Sequence, residues 1–160
     1  MNMDTELSPR IGGSPSMLMA GIVRGYAMSD IRGIPAQWQE FNRRSREIEN
    51  TVGDAAYGIC TNEEGKEGRF LYYTAFEVTE QSALPAGFTL LSIPAHTYAV
   101  FTHDGDVNGV PPFVDRIFSD WLPASGFRHS AFPSMIECYD ERFDPETGSG
   151  ITEIWIPIES

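Results

Sequence analysis

The sequence predicts an α+β fold: a tandem βαββ repeat with two helices on one side of an antiparallel sheet and a ligand cleft between the halves. Three observations predict it. First, two apolar stripes have three- and four-residue spacing, the signature of amphipathic helices, whereas the other apolar runs are short, partly alternating and rich in β-branched and aromatic residues. Second, these pieces fall twice in the order strand, helix, strand, strand, over residues 17–78 and 88–158. Third, each helix opens with glycine, a β-branched residue and proline: Gly33-Ile34-Pro35 and Gly109-Val110-Pro111. One such unit has too little core to stand alone. Two would set both helices on one side of the strands and leave a cleft on the other, at the junction where ligand sites tend to lie.

The first strand is expected over residues 17–26, after a stretch at 1–16 that contains Gly, Ser and Pro, has few apolar anchors and reads as a mobile tail. Proline suits the first turn of the helix that follows, since its missing N–H would be unpaired there. Ile34, Trp38, Phe41, Ser45 and Ile48 form the stripe, and Arg43, Arg44 and Arg46 fall mostly outside it as a solvated face. Strands at 55–61 and 69–78 make a hairpin around a polar turn, NEEGKEG. A linker at 79–87 leads into the second half, with strands at 88–93 and 96–103 broken at Pro94. Asp104-Gly105-Asp106 is read as a turn. Val110, Val114, Ile117, Phe118 and Trp121 form the second helical stripe, which Pro123 is expected to end. The run 131–158 gives the last two strands, and 17–160 is a single domain.

Length and composition bound the function. A chain of 160 residues, 41% hydrophobic and 21% charged, suits one domain with a real core. No apolar run is long enough to span a bilayer. The first ten residues, with Asp4 and Glu6, lack the order of a signal peptide, so a cytoplasmic location is expected and no membrane partner. Net charge is −12, which argues against direct nucleic-acid binding and favours the approach of cations. Cys60 and Cys138 lie in apolar runs with no CxxC spacing and read as buried free thiols. His96 and His103 fall on opposite strand faces and His129 is isolated, so no metal site is expected, and no cofactor signature is present.

The last two strands suggest the site. Successive strand side chains point to opposite faces. Thr152, Ile154, Ile156 and Ile158 therefore share an aliphatic face, and Glu153 shares the other with Trp155. In the preceding strand Met135, Glu137 and Tyr139 alternate with Ser134, Ile136 and Cys138. Glu137 and Glu153 are expected together on a carboxylate-and-aromatic face, suited to a large organic cation.

Several segments taken together resemble the GyrI-like effector-binding family: YGICTNEEG with FLYYTAFEV, LPAGFTLLSIPAHTYAVFTHDG, DWLPASGF, IECYDERFD and EIWIPI. The resemblance spans roughly residues 17–158. This family includes ligand domains of AraC-type and MerR-type multidrug regulators, gyrase-inhibitory proteins and drug-binding proteins encoded on integron cassettes. It implies a cleft that takes lipophilic cations beside a buried glutamate, and it gives Glu137, in Ile136-Glu137-Cys138-Tyr139, that role. Trp155, Tyr139, Tyr72 and Phe70 are the expected walls and Glu153 a second acid or a rim residue. Tyr57 and Trp38 are further candidates, although Trp38 also fits the helix core and Glu153 also fits a solvent-facing position. No helix-turn-helix pattern is present, so the chain is expected to be a free-standing module, with any DNA-binding or gyrase partner a separate protein. The resemblance also leaves open hydrolysis of small electrophiles by Glu137 with Tyr72 or Tyr139, or protein interaction through the acidic surface.

Overall fold

The computed structural model describes residues 7–63, 65–79 and 84–159. Its strands are β1 (Arg10–Ser14), β2 (Met17–Ala27), β3 (Thr51–Asn62), β4 (Arg69–Val78), β5 (Thr89–Ile93), β6 (His96–Asp106), β7 (Arg128–His129), β8 (Met135–Tyr139), β9 (Phe143–Asp144) and β10 (Ser149–Glu159). Helix α1 spans Ile34–Arg44, α2 spans Val110–Arg116 and α3 spans Leu122–Ser125. One sheet runs in the order β1-β6-β10-β8-β3-β4-β2-β5, with β7 and β9 added to β10.

That order displays the duplication. The first unit contributes β2-β4-β3 and the second β6-β10-β8, and they join through β3 and β8. The outer strands are exchanged: β1 precedes the first unit but pairs with β6 of the second, and β5 precedes the second but pairs with β2 of the first. Each unit's sheet is thus extended by a strand from the other's stretch of chain, and the two share one continuous sheet. The sheet curls as a half-barrel, with both helices against it.

Both helices lie on one face, as expected. Under α1, Phe41 packs with Ala20, Ile22, Ile48 and Val78. Under α2, Val110 and Phe113 pack with Phe101, Ile154, Ile156 and Ile158. The aliphatic face read from the last strand is thus the one the second helix covers. The other face of the sheet has its own core, which includes Met19, Tyr57, Ile59, Tyr98 and Ile136.

Three local expectations need correction. The tail expected at 1–16 is ordered over its described part: Arg10–Ser14 pair with β6, and Leu7 is buried beside the α2 core. A small-residue run such as RIGGS has no apolar periodicity, but an edge strand needs only its backbone groups to pair. Residues 1–6, and 80–83 of the expected linker, lie outside the described residues. Asp104-Gly105-Asp106 is the end of β6 rather than a turn; the Asp106 carboxylate accepts the Asn108 N–H at 2.8 Å and starts the short helical turn Val107–Gly109. Nor does Pro123 stop the second helix. After Arg116 the chain makes one π-helical turn, Ile117–Trp121, in which the Leu122 N–H bonds to the Ile117 carbonyl. That wider turn accommodates a proline ring that would clash in a continuous α-helix. The helix ends at Gly126, whose φ of 82° suits a residue without a side chain.

Candidate functional site

Cross-strand register defines the floor between the helices. Ile22, Thr74, Gly58, Glu137, Ile154 and Phe101 stand opposite one another in turn across β2, β4, β3, β8, β10 and β6. Ile22 lies in the core under α1 and Phe101 in the core under α2. Glu137 is therefore on the helix-bearing face, in the middle of the row, where neither helix core reaches fully. It is only 9% exposed.

Helix α1 is held there by a polar residue inside its apolar stripe. Gln37 is fully buried, its Nε2 donates to the carbonyls of Ile22 (3.0 Å) and Tyr72 (2.9 Å), and its Oε1 accepts from the Tyr26 hydroxyl (2.7 Å). This anchor ties α1 to β2 and to β4, the strand that carries Tyr72. It also fixes the next residue, Trp38, whose indole N–H donates to the Tyr72 hydroxyl at 3.0 Å.

The Tyr72 hydroxyl in turn donates to Glu137 Oε1 at 2.5 Å, and the Tyr139 hydroxyl donates to the same oxygen at 3.2 Å. Both phenols converge on one carboxylate oxygen, and among the described residues Oε2 has no hydrogen-bond partner. The Trp38 ring stands edge-on to Tyr139 and Tyr72, with centroids 5.4 and 6.4 Å away, and Phe143 backs Tyr139 at 4.9 Å. The result is an acid ringed by aromatic groups.

Burial sets the electrostatics. Loss of water raises the Glu137 pKa, and the two phenol hydrogen bonds offset part of that rise. Burial and the nearby Glu137 charge push both Tyr72 and Tyr139 above the ordinary phenol range, so they remain hydroxyl donors. The Cys60 thiol is raised for the same two reasons, which favours its protonated form.

The sequence expectations divide sharply. Glu137, Tyr72, Tyr139 and Trp38 come together. Phe70 shares their face, but its ring packs on Tyr26 at 5.9 Å, behind the Gln37 anchor. Glu153, Trp155 and Tyr57 are on the opposite side of the sheet, which corrects the expected common face. The register explains why: Glu153 stands opposite Cys138, and Glu137 stands opposite Ile154. There Trp155 packs on Tyr57 at 6.0 Å and donates to Glu153 at 3.0 Å, while Arg142 pairs with Glu153 at 2.9 Å. Glu153 is thus a neutralised acid in a structural network.

Gln37 and Gly58 are not among the residues that the sequence motifs point to as the site. The signal for Gln37 was a polar residue on the α1 stripe, between Ile34 and Phe41. The signal for Gly58 was a glycine inside a strand, a position that weakens a strand unless something approaches closely. No helix among the described residues is long and apolar enough to cross a membrane.

Comparison with known proteins agrees with this architecture. The transcriptional regulator BrlR of Pseudomonas aeruginosa is 33% identical over 123 residues, which cover 76% of this chain and 44% of the regulator. The chain thus spans less than half the length of that curated relative. The structure of SAV2435 bound to tetraphenylphosphonium superposes with a TM-score of 0.77 at 20% identity, covering 96% of this chain and 94% of that one. The Vibrio cholerae integron cassette protein VCH_CASS2 gives 0.69 at 16% identity, covering 94% and 95%. At these identities the two structures establish the fold. The GyrI-like small molecule binding domain model matches residues 8–159, so the chain belongs to that family.

Proposed function

We propose that this domain binds lipophilic organic cations, as a sensor or sequestering module in the cytoplasm, with Glu137 as counter-charge and Trp38, Tyr72 and Tyr139 as its aromatic surroundings. The observation that carries this reading is the arrangement of the Glu137 carboxylate. It is buried, its Oε1 is held by two phenol hydroxyls, and its Oε2 has no partner among the described residues. A desolvated carboxylate is costly when ionised and unpaired. A cation relieves that cost, a neutral ligand does not, and each ring face adds attraction of about 0.5–2 kcal/mol. The net charge of −12 favours the approach of cations. The tetraphenylphosphonium in the SAV2435 structure is a ligand of this chemical kind. A DNA-binding or gyrase partner would read out occupancy.

The test is calorimetry with tetraphenylphosphonium and with triphenylphosphine oxide, a neutral molecule of related shape. The cation is expected to bind more tightly, and Glu137→Gln to remove the difference while leaving the circular dichroism spectrum unchanged. Equal affinity of the folded variant and the parent for the cation would overturn the assignment. Steady turnover of a strained electrophile, lost in Glu137→Gln, would favour the hydrolase reading instead.

A further inference from the structure

We propose that Gly58 is a positioning residue of the cation site: its missing side chain is the passage through which the Tyr72 hydroxyl reaches Glu137, so position 58 sets how strongly the cleft prefers cations to neutral ligands. This rests on the reading of Glu137 as the cation's counter-charge.

The topology supplies the argument. Tyr72 is on β4 and Glu137 on β8, with β3 between them. Tyr72 stands opposite Cys60, and Glu137 stands opposite Gly58, two residues away on β3. The two Cα atoms are thus about two strand spacings apart across the sheet and offset by two residues along it, on the order of 12 Å. Their side chains meet at 2.5 Å, which requires both to lean over β3. The place where they meet is directly above Gly58. A Cβ at that residue would fall 2.5 Å from Glu137 Oε1 and closer still to the Tyr72 hydroxyl.

Glycine is otherwise poorly suited to this position. It lies in the interior of a twelve-residue strand, between Tyr57 and Ile59, with a paired strand on each side. A strand interior is weakened by glycine. In the six-residue row across the floor it is the one member without a side chain, and its left-handed conformational freedom is not used, since it is not among the glycines with positive φ. Close approach is what remains.

The consequence is chemical. With Gly58 present, Oε1 accepts from Tyr72 and Tyr139, which stabilises the ionised carboxylate, and among the described residues Oε2 has no competing partner. With a side chain there, the carboxylate and the phenol are forced apart. Glu137 then keeps its burial but loses its shortest hydrogen bond, and holds its proton to higher pH. A neutral carboxyl has no preference for a cation.

Gly58→Ala, Tyr72→Phe and the double variant, each in the full chain, test this. The first reading is the titration of Glu137, followed by NMR of carboxyl-labelled glutamate, with Glu137→Gln identifying the resonance. The second is the ratio of affinities for tetraphenylphosphonium and triphenylphosphine oxide near neutral pH. Each single variant is expected to raise the Glu137 midpoint and to lower the affinity ratio about tenfold or more, the scale of a hydrogen bond to a charged group. The double variant should do little more than the larger single change, because both remove the same contact. An unmoved midpoint in folded Gly58→Ala, or additive effects in the double variant, overturns the proposal. Should Gly58→Ala not fold, an unchanged ratio in Tyr72→Phe overturns it equally. If instead the midpoint moves as expected but Glu137→Gln binds the cation normally, the positioning role stands and the cation reading fails.

Discussion

Glu137 and Glu153 stand on neighbouring antiparallel strands yet project from opposite faces of the sheet, because the residue opposite Glu153 is Cys138. One acid faces the helices among phenols; the other is held by Arg142 and Trp155. Their substitutions should therefore behave differently. Glu153→Gln is expected to leave cation affinity unchanged and to lower stability by about 1 kcal/mol, the scale of a partly exposed ion pair with good geometry. Parallel calorimetry and urea denaturation of Glu137→Gln and Glu153→Gln check both halves. A matching loss of cation affinity in Glu153→Gln would contradict the separation of the faces.

Glu137 also predicts a pH dependence. Its folded pKa lies above the ordinary value of 4.5 because burial outweighs the two phenol bonds. Between the unfolded and the folded pKa the native state holds the extra proton, so stability falls as pH rises through that window. Below the window both states are protonated and the loss is absent. The urea midpoint of the unliganded protein should fall across this range, and Glu137→Gln should flatten the trend and be more stable than the parent above it. Cation affinity should move the opposite way, rising with pH as the carboxylate ionises, with protons released on binding at the lower end. Titrations in buffers of different ionisation enthalpy measure that release.

Much of the fold was legible because it depends on periodicity. The α1 and α2 stripes, the doubled order and the aliphatic face of the last strand all follow from spacing within one element. The site depends on relations between elements. Alternation placed Glu137 and Tyr139 on one face of β8, and Glu153 and Trp155 on one face of β10, both as found. It could not say which face of β8 continues which face of β10, since a shift of one residue in register exchanges them. The loop between these strands sets that register, and its β9 segment pairs Phe143 with Gly150 two residues out of step with the β8 ladder. Trp38 illustrates the same limit. Its stripe position read as core, and it does pack with the α1 core, but its N–H is spent on Tyr72.

Gln37 should prove to be a structural anchor with a functional consequence. Gln37→Leu keeps roughly the same volume but removes the Gln37 hydrogen bonds to the Tyr72 carbonyl, the Tyr26 hydroxyl and the Ile22 carbonyl, of which the last keeps the Thr74 hydroxyl at 3.5 Å. A buried polar group left unpaired costs about 1–3 kcal/mol. A loss of about 3 kcal/mol is expected in urea denaturation. Because Trp38 follows on the same helix, cation affinity should fall as well, although Gln37 does not touch Glu137. A neutral effect on both measurements would mean that α1 is seated without the Gln37 hydrogen bonds.

The N-terminal strand makes a prediction that the tail reading would not. Leu7 is 9% exposed and belongs to the core that includes Phe101, Val110 and Phe113, and β1 covers the β6 edge from His96 to Val100. Leu7→Ala should cost about 2–5 kcal/mol, as for a buried leucine elsewhere. Removal of residues 1–14 should cost at least as much and also expose the edge of β6, whose unpaired backbone groups would template association between chains. Denaturation of Leu7→Ala and sedimentation of the truncated chain test the two effects separately. A truncated chain whose sedimentation and stability match those of the parent would restore the tail reading. Cation binding by truncated protein that remains folded should be preserved, since β1 pairs only with β6 and Glu137 stands three strands away on β8.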